Sequence, residues 1–318
     1  MITASDFRFI VTEQLAGAGV DPGAVLIEPE GRNTAPAVLA AALHAHRADP
    51  DATLLIAPSD HLIPEVDRFR EAIDAGLAAL EEGKLVTFGV GPTHPETAYG
   101  YLELSEAPNG ALRPIPLARF VEKPDATRAA EMLAEGNYLW NAGIFMFRAA
   151  DILTAFESHA PTLVAPVRAS VEEAEPDLGF LRLAPEPWAG VEDISIDYAV
   201  MEKSAHVKVI PSDIGWSDLG SFEALDQELD KDAAGNTQVD NSLLLNAHNN
   251  LIIGSERVIS LIDIDDLMIV DTADALLIAP KGSGQKVKTI VEQLKTQGSD
   301  LPQIHRTAHR PWGTYTIL

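Results

Sequence analysis

The chain has 318 residues, 46% hydrophobic and 22% charged, the make-up of a core-forming protein of about two domains rather than a disordered chain. Its 48 acidic and 23 basic side chains leave a formal net charge of −25, which repels nucleic acid and anionic membranes, so neither is an expected partner. There is no cysteine, which excludes disulfides, zinc–thiolate sites, iron–sulfur clusters and cysteine nucleophiles and fits a cytoplasmic protein.

No apolar run approaches the roughly 20 residues of a membrane helix, and Met1 to Leu15 lacks the pattern of a signal peptide. The first segment, Asp6 to Ala18, places Phe7, Ile10, Val11 and Leu15 on one helical face, so the chain is expected to open on a helix. Ala24 to Ile27 reads as a strand and Glu28 to Thr34 as a polar loop. Ala35 to Arg47 reads as an alanine-rich helix with Pro36 in its first turn, where proline is tolerated. Thr53 to Ala57 has the apolar character of a strand buried on both faces. A helix from Phe69 to Glu82 and a strand from Leu85 to Val90 follow. This alternation predicts an α/β, Rossmann-like domain with a mainly parallel sheet. Ligands in such sheets bind beyond the carboxyl ends of the strands, so chemistry is expected in the loops after Ile27, Ala57, Val121 and Met146.

The pattern changes near Ala233. Short runs (Ser242 to Leu245, Leu251 to Ile253, Val258 to Ile262, Leu267 to Val270, Ala275 to Ile278) are separated by Asn, Asp and Gly with no helical period. They predict a small β-rich unit, read as a β-helix-like stack of irregular repeat. A helix from Lys286 to Gln297 and a polar tail complete the chain. The expected boundaries are 1–232 for the α/β domain, 233–284 for the β-rich unit, 285–298 for the helix and 299–318 for a linker.

Several loops carry residue types suited to phosphate and sugar chemistry. In Glu28–Pro36 (EPEGRNTAP), Glu28 and Asn33 offer an acceptor and a donor ahead of a helix start, which itself favours anions. A capped helix behind a solvated loop is the equally available reading. Asp60, in Pro58–His61 directly after a strand, is placed to hold Mg²⁺, which takes one or two carboxylates with phosphate oxygens; a turn-capping Asp is the alternative. The Glu122–Lys123 pair offers an acceptor for hydroxyls and a cation for phosphate, or a surface ion pair worth little. Trp140–Gly143 offers an aromatic wall and the Asn141 amide, or a packed turn. Asp218, in the glycine-flanked turn Gly215–Ser221, complements Asp60 as a second metal carboxylate, unless Ser217 or Asp218 merely caps the next helix. His44, His46, His305 and His309 form no site.

Taken together, the order and spacing of these segments resemble the mannose-1-phosphate guanylyltransferases, a branch of the sugar-nucleotide pyrophosphorylases. The chain looks like the bacterial bifunctional type, in which a mannose-6-phosphate isomerase domain follows. The likeness rests on EPEGRNTAP (28–36), PSDH (58–61), YGY (99–101), FVEKP (120–124), LWNAG (139–143), SIDYAVMEK (195–203) and GWSDLGS (215–221), and runs from Phe7 to about Pro280. The resemblance implies that mannose 1-phosphate attacks the α-phosphorus of GTP, releasing pyrophosphate and forming GDP-mannose, by positioning and charge neutralisation. It implies Asp60 and Asp218 on Mg²⁺, Lys123 on a phosphate, Glu122, Asn141 and Gly100 on the mannose, and Glu28, Asn33 and Thr34 around the guanine. It also implies a first strand and a glycine-rich triphosphate loop of the form GGxGTRLWPLS before the opening helix, a block of roughly 30 residues that this sequence does not carry. Arg310–Gly313 resembles the start of the isomerase domain. A non-catalytic module that binds sugar phosphate or GDP-mannose, and a sister enzyme using another sugar or base, are the alternatives. Self-association into a homo-oligomer is left open.

Overall fold

The computed structural model describes residues 1–239, 241–254, 257–299, 301, 307–310 and 313–316. The chain divides into two compact units. The first comprises Met1–Ser59 and Ile63–Trp216; the second joins Asp60–Leu62 to the chain from Ser217 onward.

The first unit alternates strands and helices as its hydrophobic pattern dictates. In chain order these are β1 (Ile2–Ala4), α1 (Arg8–Gly17), β2 (Leu26–Glu28), α2 (Thr34–Ala48), β3 (Thr53–Ile56), α3 (Val66–Glu81), β4 (Leu85–Val90), β5 (Gly100–Leu104) and β6 (Ile115–Glu122). Then come α4 (Ala126–Glu135), β7 (Tyr138–Arg148), α5 (Ala149–His159), α6 (Pro161–Glu172), β8 (Glu175–Asp177), β9 (Phe180–Arg182), α7 (Pro185–Trp188) and β10 (Val207–Pro211). They build a four-stranded sheet in the order β1-β2-β9-β8 and a six-stranded sheet in the order β3-β7-β4-β10-β6-β5. β1, β2 and β9 run parallel, as do β4 and β10, whereas β7 is antiparallel to β3, β4 and β5. Both sheets are thus mixed.

Helix α2 shows how composition becomes packing. Asn33 caps its start by accepting the Thr34 N–H, Pro36 sits where no donor is needed, and a stripe of Ala35, Val38, Leu39, Ala42 and Leu43 is buried. The small side chains let α2 lie close against α5 and α6. The main core gathers Leu39, Leu85, Leu102, Phe145, Phe147, Phe156 and Trp188. A second cluster holds Phe88, Tyr101, Met146, Ile210 and Trp216.

Four expectations are corrected. A short strand, Ile2–Ala4, precedes the opening helix; that helix buries none of its residues, and Phe7, just ahead of it, is 52% exposed. β3 is not buried on both faces: it ends its sheet, and Thr53 and Leu55 are exposed. The Trp140–Gly143 segment is not a turn but lies inside β7, which runs on to Arg148, so no loop directly follows Met146. The strand bends there, with an irregular register opposite Thr87–Gly89 and Gly143 at φ +66°. The helix after Asp218 is capped by Ser221, not by Ser217 or Asp218.

The second unit carries α8 (Phe222–Glu228), then β11 (Thr237–Val239), β12 (Ser242–Leu245), β13 (Leu251–Ile253), β14 (Ile259–Ile262), β15 (Leu267–Asp271), β16 (Leu276–Pro280) and α9 (Val287–Thr296). β11, β13 and β15 stack in parallel register, Thr237 against Leu251 against Met268, and β12 stacks on β14. This is a β-helix. Its turns stack too: Gly235, Asn249 and Asp266 each take a positive φ, the conformation that Gly, Asn and Asp adopt most readily. Buried Asn236 and Asn250 bind one another and the backbone of the neighbouring coil, Asn250 taking the Leu267 N–H at 2.9 Å. In the tail, Thr307–Arg310 pairs antiparallel with Gly313–Thr316. His305, Pro311 and Trp312 lie outside the described residues. No helix among the described residues is long and apolar enough to cross a membrane.

Candidate functional site

In the first unit, the antiparallel pairing of β5 with β6 sets Gly100 opposite Glu122. A Cβ at Gly100 would lie 2.5 Å from Glu122 Oε2 and 3.1 Å from Phe120 Cε1. The glycine therefore makes room for the carboxylate over the strand. Glu122 is mostly buried, and its Oε1 is 3.2 Å from the Nζ of exposed Lys123. The chain turns sharply there, with Lys123 at φ +46° and Pro124 next. Asn141 projects from the bend in β7: its amide nitrogen donates to Asp197 Oδ1 at 2.9 Å, and its oxygen accepts from Thr87 Oγ1 at 3.1 Å and the Gly143 N–H at 3.3 Å. Burial first, and then the charge of Glu122, push the Asp197 carboxyl up to about 6. Burial and the charges of Glu122 and Asp197 also raise Glu202. Glu122, Lys123, Gly100 and Asn141 thus share one neighbourhood, rich in acceptors, with one cation and one amide.

Glu28 lies elsewhere in this unit, at the carboxyl end of β2. It lines a cavity of about 540 Å³ with Ser5, Glu173, Glu175, Arg182 and Glu186. Ser5 follows β1 and Arg182 ends β9, so the cavity opens at the carboxyl ends of three parallel strands, the usual place for a ligand. Burial raises the Glu28 carboxyl to about 7, and its Oε1 is buried without a hydrogen-bond partner. A buried orphan acceptor is costly unless a ligand donates to it. Asn33 and Thr34 do not line this cavity. Asn33 caps α2, and the Thr34 hydroxyl oxygen accepts the Ile196 N–H at 2.9 Å.

In the second unit, Leu62 and Ser217 exchange backbone hydrogen bonds at 2.9 and 3.1 Å. This draws Asp60 and Asp218 together around His61, which both carboxylates favour in its charged form while burial, the larger effect, lowers its pKa. Asp218 Oδ1 also accepts the Gly220 N–H at 3.0 Å. Two carboxylates are a donor set that suits Mg²⁺ sharing phosphate oxygens. No group of three or more His, Asp or Glu side chains that could enclose a metal is found among the described residues.

Two groups at these sites carried no assigned role. Asp197 begins a π-helical turn, Asp197–Met201, the kind of irregularity that clusters at functional positions. Its signal in sequence is a lone carboxylate ahead of the apolar run Ala199–Met201. Arg182, paired with Asp177 at 2.5 Å, had no local signal, because β9 reaches the cavity only through long-range pairing with β2.

Comparison with known proteins bears on the family and the fold. Residues 1–235 match the Nucleotidyl transferase family and residues 240–294 match the MannoseP isomerase/GMP-like beta-helix domain. The xanthan biosynthesis protein XanB of Xanthomonas campestris is 41% identical over 318 residues, covering 100% of this chain and 67% of that protein. A mannose-1-phosphate guanylyltransferase of Escherichia coli is 38% identical over 322 residues, again 100% and 67%. The chain therefore spans about two thirds of these relatives. Among solved structures, one titled mannose-1-phosphate geranyltransferase, from Thermus thermophilus, superposes with a TM-score of 0.77 at 29% identity, covering 92% of this chain and 84% of the other.

Proposed function

The chain belongs to the nucleotidyl transferase family, and from that premise we propose that it is a mannose-1-phosphate guanylyltransferase. A phosphate oxygen of mannose 1-phosphate attacks the α-phosphorus of GTP, the bond to the β-phosphate breaks, and pyrophosphate leaves as GDP-mannose forms. The observation that carries the reading is the Glu122 carboxylate seated over Gly100, 3.2 Å from the Lys123 amine. It sets an acceptor for sugar hydroxyls beside a cation for phosphate, which is what a sugar phosphate requires. Asn141 adds an amide on the sugar side.

Glu28 would read the guanine. A carboxylate accepts from two adjacent N–H groups, and guanine presents such a donor edge whereas adenine does not. The buried, unpartnered Oε1 supports that assignment. Asn33 and Thr34 serve the base indirectly, by fixing the start of α2. Asp60 and Asp218 would hold Mg²⁺. Bound there, the ion would neutralise charge on the nucleotide phosphates. The names of the relatives support a product destined for polysaccharide synthesis, and the cysteine-free composition fits work in the cytoplasm.

The test is product identity. Incubation with mannose 1-phosphate, Mg²⁺ and each of GTP, ATP, UTP and CTP should yield GDP-mannose by mass spectrometry and little else. A different preferred nucleotide would overturn the base assignment. Binding of mannose 1-phosphate with no product from any nucleotide would make the protein a binding module.

A further inference from the structure

We propose that Asp197 is a positioning residue: its carboxylate locks the Asn141 amide in one orientation, so that Asn141 presents a hydrogen-bond donor, and no acceptor, to the sugar. The inference rests on the reading of Glu122 and Asn141 as a sugar-phosphate site.

Most of the hydrogen-bonding capacity of the amide is already taken up. The oxygen of Asn141 is used by two donors, Thr87 Oγ1 at 3.1 Å and the Gly143 N–H at 3.3 Å. One of the two N–H bonds of the amide nitrogen goes to Asp197 Oδ1 at 2.9 Å. One N–H remains. Inverting the amide would set its oxygen against the Asp197 carboxylate and its nitrogen against the Gly143 N–H, two repulsive pairings in a site of low dielectric. With an apolar residue at 197, only the Gly143 and Thr87 contacts would oppose inversion, and Thr87 has a second acceptor available in the Ile144 carbonyl at 3.2 Å.

Asp197 is itself held on several sides. Ile196 N–H binds Thr34 Oγ1 at 2.9 Å, Ala35 N–H binds the Ile194 carbonyl at 3.1 Å, and the π-helical turn closes with Glu202 N–H on the Asp197 carbonyl at 2.9 Å. The burial and the Glu122 charge that raise its carboxyl mean that placing it there opposes folding. An apolar residue would pack the turn with Ala199, Val200 and Met201 at no such penalty. Besides the Ser195 hydroxyl and its own backbone, the partner the carboxylate engages is Asn141, and holding that amide is what an apolar residue could not do. With Glu122 accepting and Asn141 donating, the pair suits two hydroxyls of one sugar ring, one giving a hydrogen bond and the other receiving one. It does not suit a carboxylate, which could only accept.

The experiment uses the full chain labelled with ¹⁵N, the Asn141 side-chain signals being assigned by their loss in Asn141→Ser. In the wild type the two amide protons should be resolved and slow to exchange. Asp197→Asn keeps an acceptor at the same place and should retain both that signature and mannose 1-phosphate affinity within about threefold. Asp197→Ala should lose the signature and weaken mannose 1-phosphate binding about tenfold, with GTP affinity unchanged. Should Asp197→Ala fail to fold, Asp197→Ser, polar but too short to reach the amide, carries the same prediction. An unchanged Asn141 signature in the folded Ala or Ser variant overturns the proposal, as does an Asp197→Asn variant impaired as badly as Asp197→Ala. If mannose 1-phosphate leaves the wild-type Asn141 signal unmoved while the signature still depends on residue 197, the sugar reading fails and the positioning role stands.

Discussion

The hydroxyl oxygen of Thr34 accepts the backbone N–H of Ile196 at 2.9 Å, across 162 residues of sequence. The bond ties the first turn of α2 to the segment that leads into Asp197. Thr34→Val keeps the shape but leaves the Ile196 N–H without its acceptor. It should lower stability by about 1–2 kcal/mol in urea unfolding, with Thr34→Ser close to wild type. Equal stability of the Val variant would show that the bond contributes nothing net.

Glu28 makes stability depend on pH. In the folded chain its carboxyl is raised to about 7 from an ordinary value of 4.5. The folded state therefore holds an extra proton between these values, and stability falls as pH rises through that window, the penalty being complete above about 7. Glu28→Gln cannot titrate. Its melting temperature should match the wild type's near the lower limit and exceed it increasingly up to about pH 7, with the gap levelling off above that. A difference that does not vary with pH would contradict the assignment.

Gly100 is predicted to matter through Glu122. Gly100→Ala puts a methyl group 2.5 Å from Glu122 Oε2, so the carboxylate must move. KM for mannose 1-phosphate should rise about tenfold, with KM for GTP little changed. A proportional loss for both substrates would point to general damage to β5 instead.

In the β-helix unit, buried Asp226 accepts from Thr237 Oγ1 at 2.6 Å, Lys281 Nζ at 2.8 Å and Lys231 Nζ at 3.2 Å. Burial pushes its carboxyl up, but the bonds from Lys281, Thr237 and Lys231 together outweigh burial and hold it below the ordinary 3.8. The stabilisation is full above that ordinary value and is lost as pH falls through the lowered one. Asp226→Asn should therefore cost about 2–3 kcal/mol at pH 7, read as faster hydrogen exchange over 237–281, and the gap should close in acid. Equal exchange at pH 7 would refute the role.

For the metal pair, Asp218→Asn keeps an acceptor for the Gly220 N–H, 3.0 Å from Asp218 Oδ1, while removing the charge. Pyrophosphate release should fall by at least about a hundredfold with melting unchanged. Near-normal turnover would return Asp218 to a turn-capping role.

Local patterns made much of this legible in the sequence. Leu85–Val90, Ser242–Leu245 and Leu251–Ile253 are strands with the boundaries their apolar runs suggest, because hydrophobic runs bounded by turn residues decide local structure. What was not legible depends on contacts distant in sequence. The antiparallel placement of β7 put Asn141 inside a strand rather than in a turn. Ile2–Ala4 became a strand only by pairing with Leu26–Glu28. β3 carries the pattern of a buried strand, yet sheet order leaves it at an edge. The site divides in the same way. Glu122, Lys123 and Asn141 were visible as residue types suited to a sugar phosphate. Asp197 gains its role only from a neighbour 56 residues away, and Thr34 from one farther still.

The most direct test of the central claim is pyrophosphate release by the purified chain. Release should require GTP, mannose 1-phosphate and Mg²⁺ together, with GDP-mannose formed in equal amount. A folded protein that releases no pyrophosphate with all three present, or that releases it without mannose 1-phosphate, would contradict guanylyl transfer to the sugar phosphate.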